Sequence, residues 1–324
     1  ALERLGRDYH LEVDPDARVA DLSVGQRQRV EILKALYRGA DVLILDEPTA
    51  VLTPGEADHL FRILRSLRDE GKAVLLITHK LREIRAVTDV VTVMRQGRIV
   101  ATLPTAETTA EQLAELMVGR AVSLRVDKTP AQPGEPLLEV TDLVVEDALG
   151  VPRVKRVGFT VRRGEIVGLA GVAGNGQSEL LEALAGIRPA KSGQIRVRGH
   201  RVAHVAEDRQ RMGLIMAFAA QESAILGHHD EPAYNGAVLM KQSAVAASFS
   251  RQAAEYDIRP ANGALATSAF SGGNQQKIVL ARELDRNPDV LLVGQPTRGV
   301  DIGAIGFVHR RLVGLGDAGK ALLG

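Results

Sequence analysis

Val42 to Ala50 reads VLILDEPTA, a short apolar run that fits a buried strand. It delivers two adjacent carboxylates, Asp46 and Glu47, at its carboxyl end before Pro48 stops the ladder. Taken alone, this is a strand running into an acidic loop. Upstream, LSVGQ from Leu22 to Gln26 sets Ser23 and Gly25 ahead of a helical pattern. A serine there is an ordinary helix cap, but its hydroxyl and the free N–H groups of the first turn also suit an anion. FSGGN, Phe270 to Asn274, repeats the arrangement with Ser271, Gly272 and Gly273. A further strand pattern, Glu165 to Ala170, leads into GVAGNGQS and then a helical pattern to Ile187. Gly171, Gly174, Asn175, Gly176, Gln177 and Ser178 match a phosphate-cradling loop in which Gln177 replaces the usual lysine. The backbone N–H groups of such a loop still cradle phosphate; the cation that neutralises it is lost.

The elements that position these residues recur. LSVGQRQRVEILKALYRGADVLILDEPTAVLTP aligns without gaps to FSGGNQQKIVLARELDRNPDVLLVGQPTRGVDI, with Ser271 lying 248 residues after Ser23. The same offset relates Asp41 to Asp289 and Gly71-Lys72-Ala73 to Gly319-Lys320-Ala321. A period this long marks a duplicated domain. Helical patterns at Gln26–Tyr37 and Pro54–Asp69 alternate with apolar runs at Val42–Leu45, Ala73–Ile77 and Val90–Met94, which predicts an α/β fold with parallel strands. In such sheets ligands sit beyond the carboxyl ends of the strands, where Asp46, Glu47 and Thr78-His79 fall. Residues 123–136 (SLRVDKTPAQPGEP) read as an exposed linker between a domain over 1–122 and another over 137–324.

Composition narrows the function classes. The chain of 324 residues is 45% hydrophobic and 25% charged, with a formal charge of +1 and no cysteine. That excludes a disulfide framework or cysteine-ligated zinc, supplies no basic field for nucleic acid, and contains no apolar run long enough to span a membrane. His228-His229-Asp230 reads as a solvated loop rather than a metal cluster, and Glu207-Asp208-Arg209 is a charged segment between the phosphate loop and the second serine–glycine motif.

Together, VLILDEPTA as a Walker B element, LSVGQ and FSGGN as signatures, His79 as a switch histidine and GVAGNGQS as a P-loop resemble the ABC ATPases. GVAGNGQSEL, the EDR segment, SGGNQQK and QPTRGVD further resemble the twin-cassette ATP-binding subunits of bacterial importers for simple sugars or nucleosides. The resemblance implies two tandem P-loop NTPase ABC domains, the first incomplete, each with a mainly parallel sheet flanked by helices and a helical subdomain. It implies ATP and Mg2+ as cofactors, with Asp46 and Ser178 holding the metal, Glu47 polarising the attacking water and His79 meeting the γ-phosphate. In ABC dimers each ATP lies between the Walker motifs of one domain and the signature of the other. Asp46, Glu47 and His79 would then work with Ser271, Gly272, Gly273 and Asn274 in a competent site. Gly171–Ser178 with Gly294 and Gln295 would work with Ser23, Gly25 and Gln26 in a degenerate one, because Gly294 and Gln295 stand where Asp46 and Glu47 stand.

The implied partners are permease subunits and, through them, a solute-binding protein, with the chain at the cytoplasmic face of the membrane. Thr53 replaces the usual aspartate of the first D-loop, whereas Asp301 is kept in the second. The first Walker A would precede Ala1 and the second switch position would follow Gly324, so a fragment without a complete hydrolytic site is expected. A twin-cassette ribosome factor is the rival reading, disfavoured by the degenerate second Walker B and the short linker. A non-hydrolysing nucleotide sensor is disfavoured by Glu47 and His79.

Overall fold

A computed structural model describes residues 4, 6, 7, 9, 11–19, 22, 24–49, 52–95, 97–119, 128–147, 149–171, 174–199, 201–236, 239–300 and 302–324. The chain divides into two compact units, Ala1–Val122 and Ser123–Gly324.

The first unit runs α1 (Val24–Tyr37), β1 (Val42–Asp46), α2 (Pro54–Asp69), β2 (Ala73–Ile77), α3 (Leu81–Val87), β3 (Val90–Arg95), β4 (Arg98–Pro104) and α4 (Ala110–Val118). β1 and β2 pair in parallel, Val42 opposite Ala73 and Asp46 opposite Ile77, while β3 and β4 form an antiparallel hairpin. The pleat turns Leu43 and Leu45 to one face, where they meet Ile32, Leu33 and Leu36 of α1 and Leu60, Ile63, Leu64 and Leu67 of α2. Those α2 positions follow helical spacing and make one apolar stripe. Thr53 caps α2: its hydroxyl accepts from Glu56 N, while Glu56 Oε2 accepts from Thr53 N at 2.9 Å. The Thr53 N–H is the main reason the Glu56 carboxyl is held below its usual range. The residue that departs from the D-loop pattern thus has a structural task of its own.

The second unit carries β5 (Pro136–Glu146), β6 (Pro152–Arg162), β7 (Ile166–Val167), α5 (Gln177–Leu184), β8 (Ser192–Val197), β9 (Val202–Val205), α6 (Ala220–Ser223), α7 (Gln242–Tyr256), α8 (Gly272–Asp285), β10 (Val290–Val293), α9 (Ile302–Asp317) and β11 (Ala321–Leu323). Its parallel sheet has the order β7-β11-β10-β9, and a separate antiparallel sheet the order β6-β5-β8. β10 is buried along its whole length because both of its faces are covered. Leu291 and Val293 pack with Phe249 of α7 and Ile278, Val279 and Leu280 of α8, whereas Val290 and Leu292 pack with Leu138 and Val140 of β5 and Leu180 and Leu184 of α5.

The duplication holds element by element. α1, β1, α2 and β2 start 248 residues before α8, β10, α9 and β11, and β10 pairs with β11 in the register of β1 with β2. Left-handed backbone recurs at Gly39 and Asn287, at Gly71 and Gly319, and at Glu47 and Gln295.

Several boundaries differ from the sequence expectation. The strand expected at Glu165–Ala170 is regular only at Ile166–Val167, because the chain leaves the sheet to enter the phosphate loop, although Leu169 N still donates to Gly324 O. α5 stops at Leu184 rather than Ile187. The antiparallel sheet was not anticipated. The linker expected over 123–136 ends inside the second unit, since Gly134 N donates to Arg163 O and Pro136 opens β5. His228 is not solvated: it is buried, 7% exposed, and its Nδ1 lies 3.2 Å from Glu231 Oε1. Burial is the main reason its imidazole is pushed below the usual histidine range.

The turn glycines allow a test of sign. Gly71 has φ +87° with nothing within 4 Å of a built Cβ, so Gly71→Ala is expected to destabilise by about 1–2 kcal/mol through backbone strain alone. Gly55, inside α2 and equally uncrowded, lacks that strain, and Gly55→Ala should leave stability unchanged or raise it by up to about 1 kcal/mol. Urea denaturation of the two variants measures both.

Candidate functional site

In the first unit the parallel register sets the strand ends side by side. Glu47 N donates to Ile77 O at 2.9 Å, continuing the ladder one residue past β1. This brings Glu47 against the residues that follow β2: its Oε1 accepts from His79 N at 3.2 Å and meets His79 Nδ1 at 2.6 Å. Glu47 adopts φ 45°, a left-handed conformation unusual for a non-glycine residue. Its second oxygen, Oε2, is buried without a hydrogen-bond partner. Asp46, the neighbouring carboxylate, is exposed at the end of β1. The sequence-predicted trio of Asp46, Glu47 and His79 is therefore gathered in one place.

Sequence reasoning missed Glu83, which sits beneath this trio. It is 4% exposed, accepts from Thr49 Oγ1 and from Thr78 Oγ1 at 2.9 Å, and forms an ion pair with Lys80 Nζ at 3.3 Å. Thr49 follows Glu47 and Pro48, and Thr78 precedes His79, so one buried carboxylate ties together the two loops that carry the candidate residues. Lys80 Nζ adds a bond to Thr49 O at 3.0 Å. The available signal was only a glutamate in the first turn of α3, which ordinarily reads as a favourable charge at a helix start.

In the second unit the chain turns through Gly174 (φ +87°) and Gly176 (φ +100°) into α5. A side chain on Gly176 would lie 2.5 Å from Arg153 O, so close approach as well as backbone conformation requires glycine there. Gln177 folds its amide over the loop, where a Cβ on Gly171 would sit 1.9 Å from Gln177 Nε2. Ser178 Oγ donates to Glu207 Oε2 at 2.5 Å. Glu207 follows β9 and also accepts, through Oε1, from Gln295 Nε2 at 2.8 Å and Arg298 Nη1 at 3.0 Å. Gln295 is the counterpart of Glu47 and shares its conformation, with φ 40°.

Ser271 caps α8, its hydroxyl accepting from Asn274 N and from Asn274 Nδ2 at 2.9 Å, while Asn274 Oδ1 accepts from Arg259 N at 2.8 Å. Gly272 lies against Arg209, and a Cβ there would be 2.6 Å from Arg209 Nη2 and 2.7 Å from Gly299 O. Arg209 in turn donates to Arg298 O at 2.7 Å and Gly299 O at 3.2 Å, joining the EDR segment to the chain that follows β10. Gly25 and Gln26 fall in the first turn of α1; Ser23 and Asp301 lie outside the described residues.

Among the described residues no three His, Cys, Asp or Glu side chains gather as a metal cluster. Each unit instead offers a few hard oxygens at a strand end, an incomplete set of the kind Mg2+ accepts when phosphate oxygens and water supply the remainder. The exposed carboxylate of Asp46 at the end of β1 fits that arrangement. Among the described residues no helix is long and apolar enough to cross a membrane.

The profile of the ABC transporter family matches residues 1–50 and 154–298. The chain is 46% identical to the nucleoside import ATP-binding protein NupA of Lactococcus lactis, covering 98% of this chain and 66% of that protein. It is 45% identical to the guanosine import ATP-binding protein NupO of Bacillus subtilis, covering 97% of this chain and 64% of that protein. It is 43% identical to the glucose import ATP-binding protein TsgD13 of Haloferax volcanii, covering 96% of this chain and 60% of that protein. The chain thus spans about two thirds or less of the length of these curated relatives. Among solved structures, an archaeal ribosome recycling factor in complex with a ribosomal stalk protein superimposes with a TM-score of 0.65 over 99% of this chain and 62% of that one. At 22% identity that likeness concerns the fold alone. With its duplicated α/β elements, strand-end carboxylates and phosphate loop, the chain belongs to the ABC transporter family.

Proposed function

We propose that this chain is part of the ATP-hydrolysing subunit of an importer for a nucleoside or simple sugar, with a competent set of residues in the first unit and a degenerate set in the second. The observation that carries the reading is the Glu47–His79 pair at adjacent parallel strand ends, with Glu47 Oε2 buried and unpartnered. Relatives named for nucleoside, guanosine and glucose import support the solute class. Permease subunits at the inner face of the membrane, receiving solute from a binding protein, are the proposed partners.

In this reading Asp46 holds Mg2+, which when bound neutralises phosphate charge and fixes the phosphate oxygens. Glu47 accepts a proton from the attacking water at Oε2. His79 keeps Glu47 Oε1 engaged through Nδ1 and its own N–H, so the carboxylate is held in place, and Nε2 is the ring nitrogen left to meet a phosphate. Glu83 is a positioning residue that fixes both loops from below. In the second unit Gly294 and Gln295 supply neither metal ligand nor base, and Gln177 supplies no charge, so that set binds nucleotide without cleaving it.

The reading is tested in the full-length protein reconstituted in vesicles with its permease subunits, by following ATP turnover and uptake of labelled guanosine, ribose and glucose. Glu47→Gln should lower turnover by about 10²–10⁴-fold with ATP binding retained. Turnover unchanged by this substitution, or unresponsive to every solute, overturns the assignment.

Glu83→Ala removes the acceptor of two hydroxyls and the counter-ion of Lys80; it should destabilise by about 1–3 kcal/mol and lower kcat more than it raises KM. Glu83→Gln, which keeps an acceptor oxygen, should recover most of kcat. An equal kcat for the two variants would confine Glu83 to a structural role.

Gln177→Lys restores a charge-assisted contact of about 1.5–3 kcal/mol to phosphate. Nucleotide binding to the second unit should tighten by at least tenfold in calorimetry, with no turnover when Glu47 is replaced.

A further inference from the structure

Arg209, the last residue of the EDR segment, takes no part in the chemistry described above, yet its guanidinium lies where three chain segments meet. Asp208 caps the turn that Arg209 begins, its Oδ1 accepting from Gln210 N and Arg211 N at 3.1 Å each. Gln210 Nε2 then donates to Gln275 Oε1 on α8 at 3.2 Å, so the turn is tied to that helix. From this fixed base the guanidinium reaches the turn after β10, where Nη1 donates to Arg298 O at 2.7 Å and Nη2 to Gly299 O at 3.2 Å. The contact is reciprocal, because the Arg298 side chain returns to Glu207 Oε1 at 3.0 Å. Arg209 Nε stays buried without a hydrogen-bond partner, so the burial of this cation is only partly compensated. On its third side the guanidinium meets the start of α8. A Cβ on Gly272 would lie 2.6 Å from Arg209 Nη2 and 2.7 Å from Gly299 O. The equivalent helix of the first unit, α1, opens with Val24 where α8 opens with Gly272. A helix start of this kind therefore accepts a side chain; the guanidinium and the carbonyl packed against it are what require glycine at 272.

We infer that Arg209 is a positioning residue for the Ser271–Asn274 turn: by holding the carbonyls of Arg298 and Gly299 in one fork, it seats their turn against Gly272 and fixes where the first turn of α8 presents its N–H groups. The inference rests on the ATPase reading above, in which Ser271–Asn274 meet a nucleotide phosphate. The first N–H groups of a helix have no partner within it, so their placement decides what they stabilise. Donors aimed at charge that develops during reaction act on kcat more than on ground-state binding. A planar fork bridging two carbonyls is a task that lysine repeats only in part, since its ammonium is a point charge on a flexible stem.

The test uses the full-length protein with its permease subunits in vesicles. Arg209→Met keeps the aliphatic stem and removes every donor, whereas Arg209→Lys keeps one charge that can reach one carbonyl. Arg209→Met should lower kcat for ATP by about 10- to 100-fold with KM changed by less than about twofold, and Arg209→Lys should fall between it and the unsubstituted protein. In the nucleotide-free protein, hydrogen exchange at the amides of residues 274–276 and 298–300 should accelerate about tenfold or more in Arg209→Met, while β9, β10 and α7 keep their protection. Exchange unchanged at 274–276 overturns the positioning role. Acceleration throughout the second unit, with kcat lowered and KM raised together in both variants, overturns it in favour of a general structural role. Faster exchange at the turn with kcat unchanged means that turnover does not use this turn, and the inference fails there as well. The ATPase reading stands or falls separately, on the effect of Glu47→Gln on turnover with Arg209 intact.

Discussion

Both candidate sites depend on how a parallel strand ends. Glu47 and Gln295 hold left-handed backbone at the same place in each copy, although neither is glycine. That conformation costs about 1 kcal/mol or more and persists only where its surroundings impose it. In the first unit the Glu47 N–H is held by Ile77 O and its carboxylate by His79. In the second, the Gln295 amide donates to Glu207. The strained peptide is thus maintained by different partners in the two copies, while the chemistry at its side chain differs completely.

The partners explain why one copy can lose its acids without losing its shape. In the first unit a carboxylate at the strand end faces a histidine, and a buried glutamate below secures both loops. In the second, the neutral amide of Gln295 and the cationic Arg298 converge on Glu207, which arrives from the neighbouring strand. An acid at position 295 would face Glu207 across a hydrogen-bond distance and repel it. A neutral amide rather than an acid at position 295 and the presence of Glu207 are therefore coupled by charge.

The amino-acid sequence by itself determined the repeat, the alternation of helices and parallel strands, and the convergence of Asp46, Glu47 and His79, because all of these follow from local periodicity and from polar residues sitting at the carboxyl ends of apolar runs. It also revealed that Gly294 and Gln295 stand where the first copy has Asp46 and Glu47, and that Gln177 stands where a phosphate-loop motif has lysine. Only the tertiary structure decided the rest. Glu83 is an ordinary helix-start glutamate until Thr49 and Thr78 close over it, and His228 reads as a loop residue until packing buries it. Glu207 lies 29 positions from Ser178 and 88 from Gln295, and only the pairing of β9 with β10 brings the three together. Contacts of that kind come from strand order within a sheet, which residue spacing along the chain does not encode.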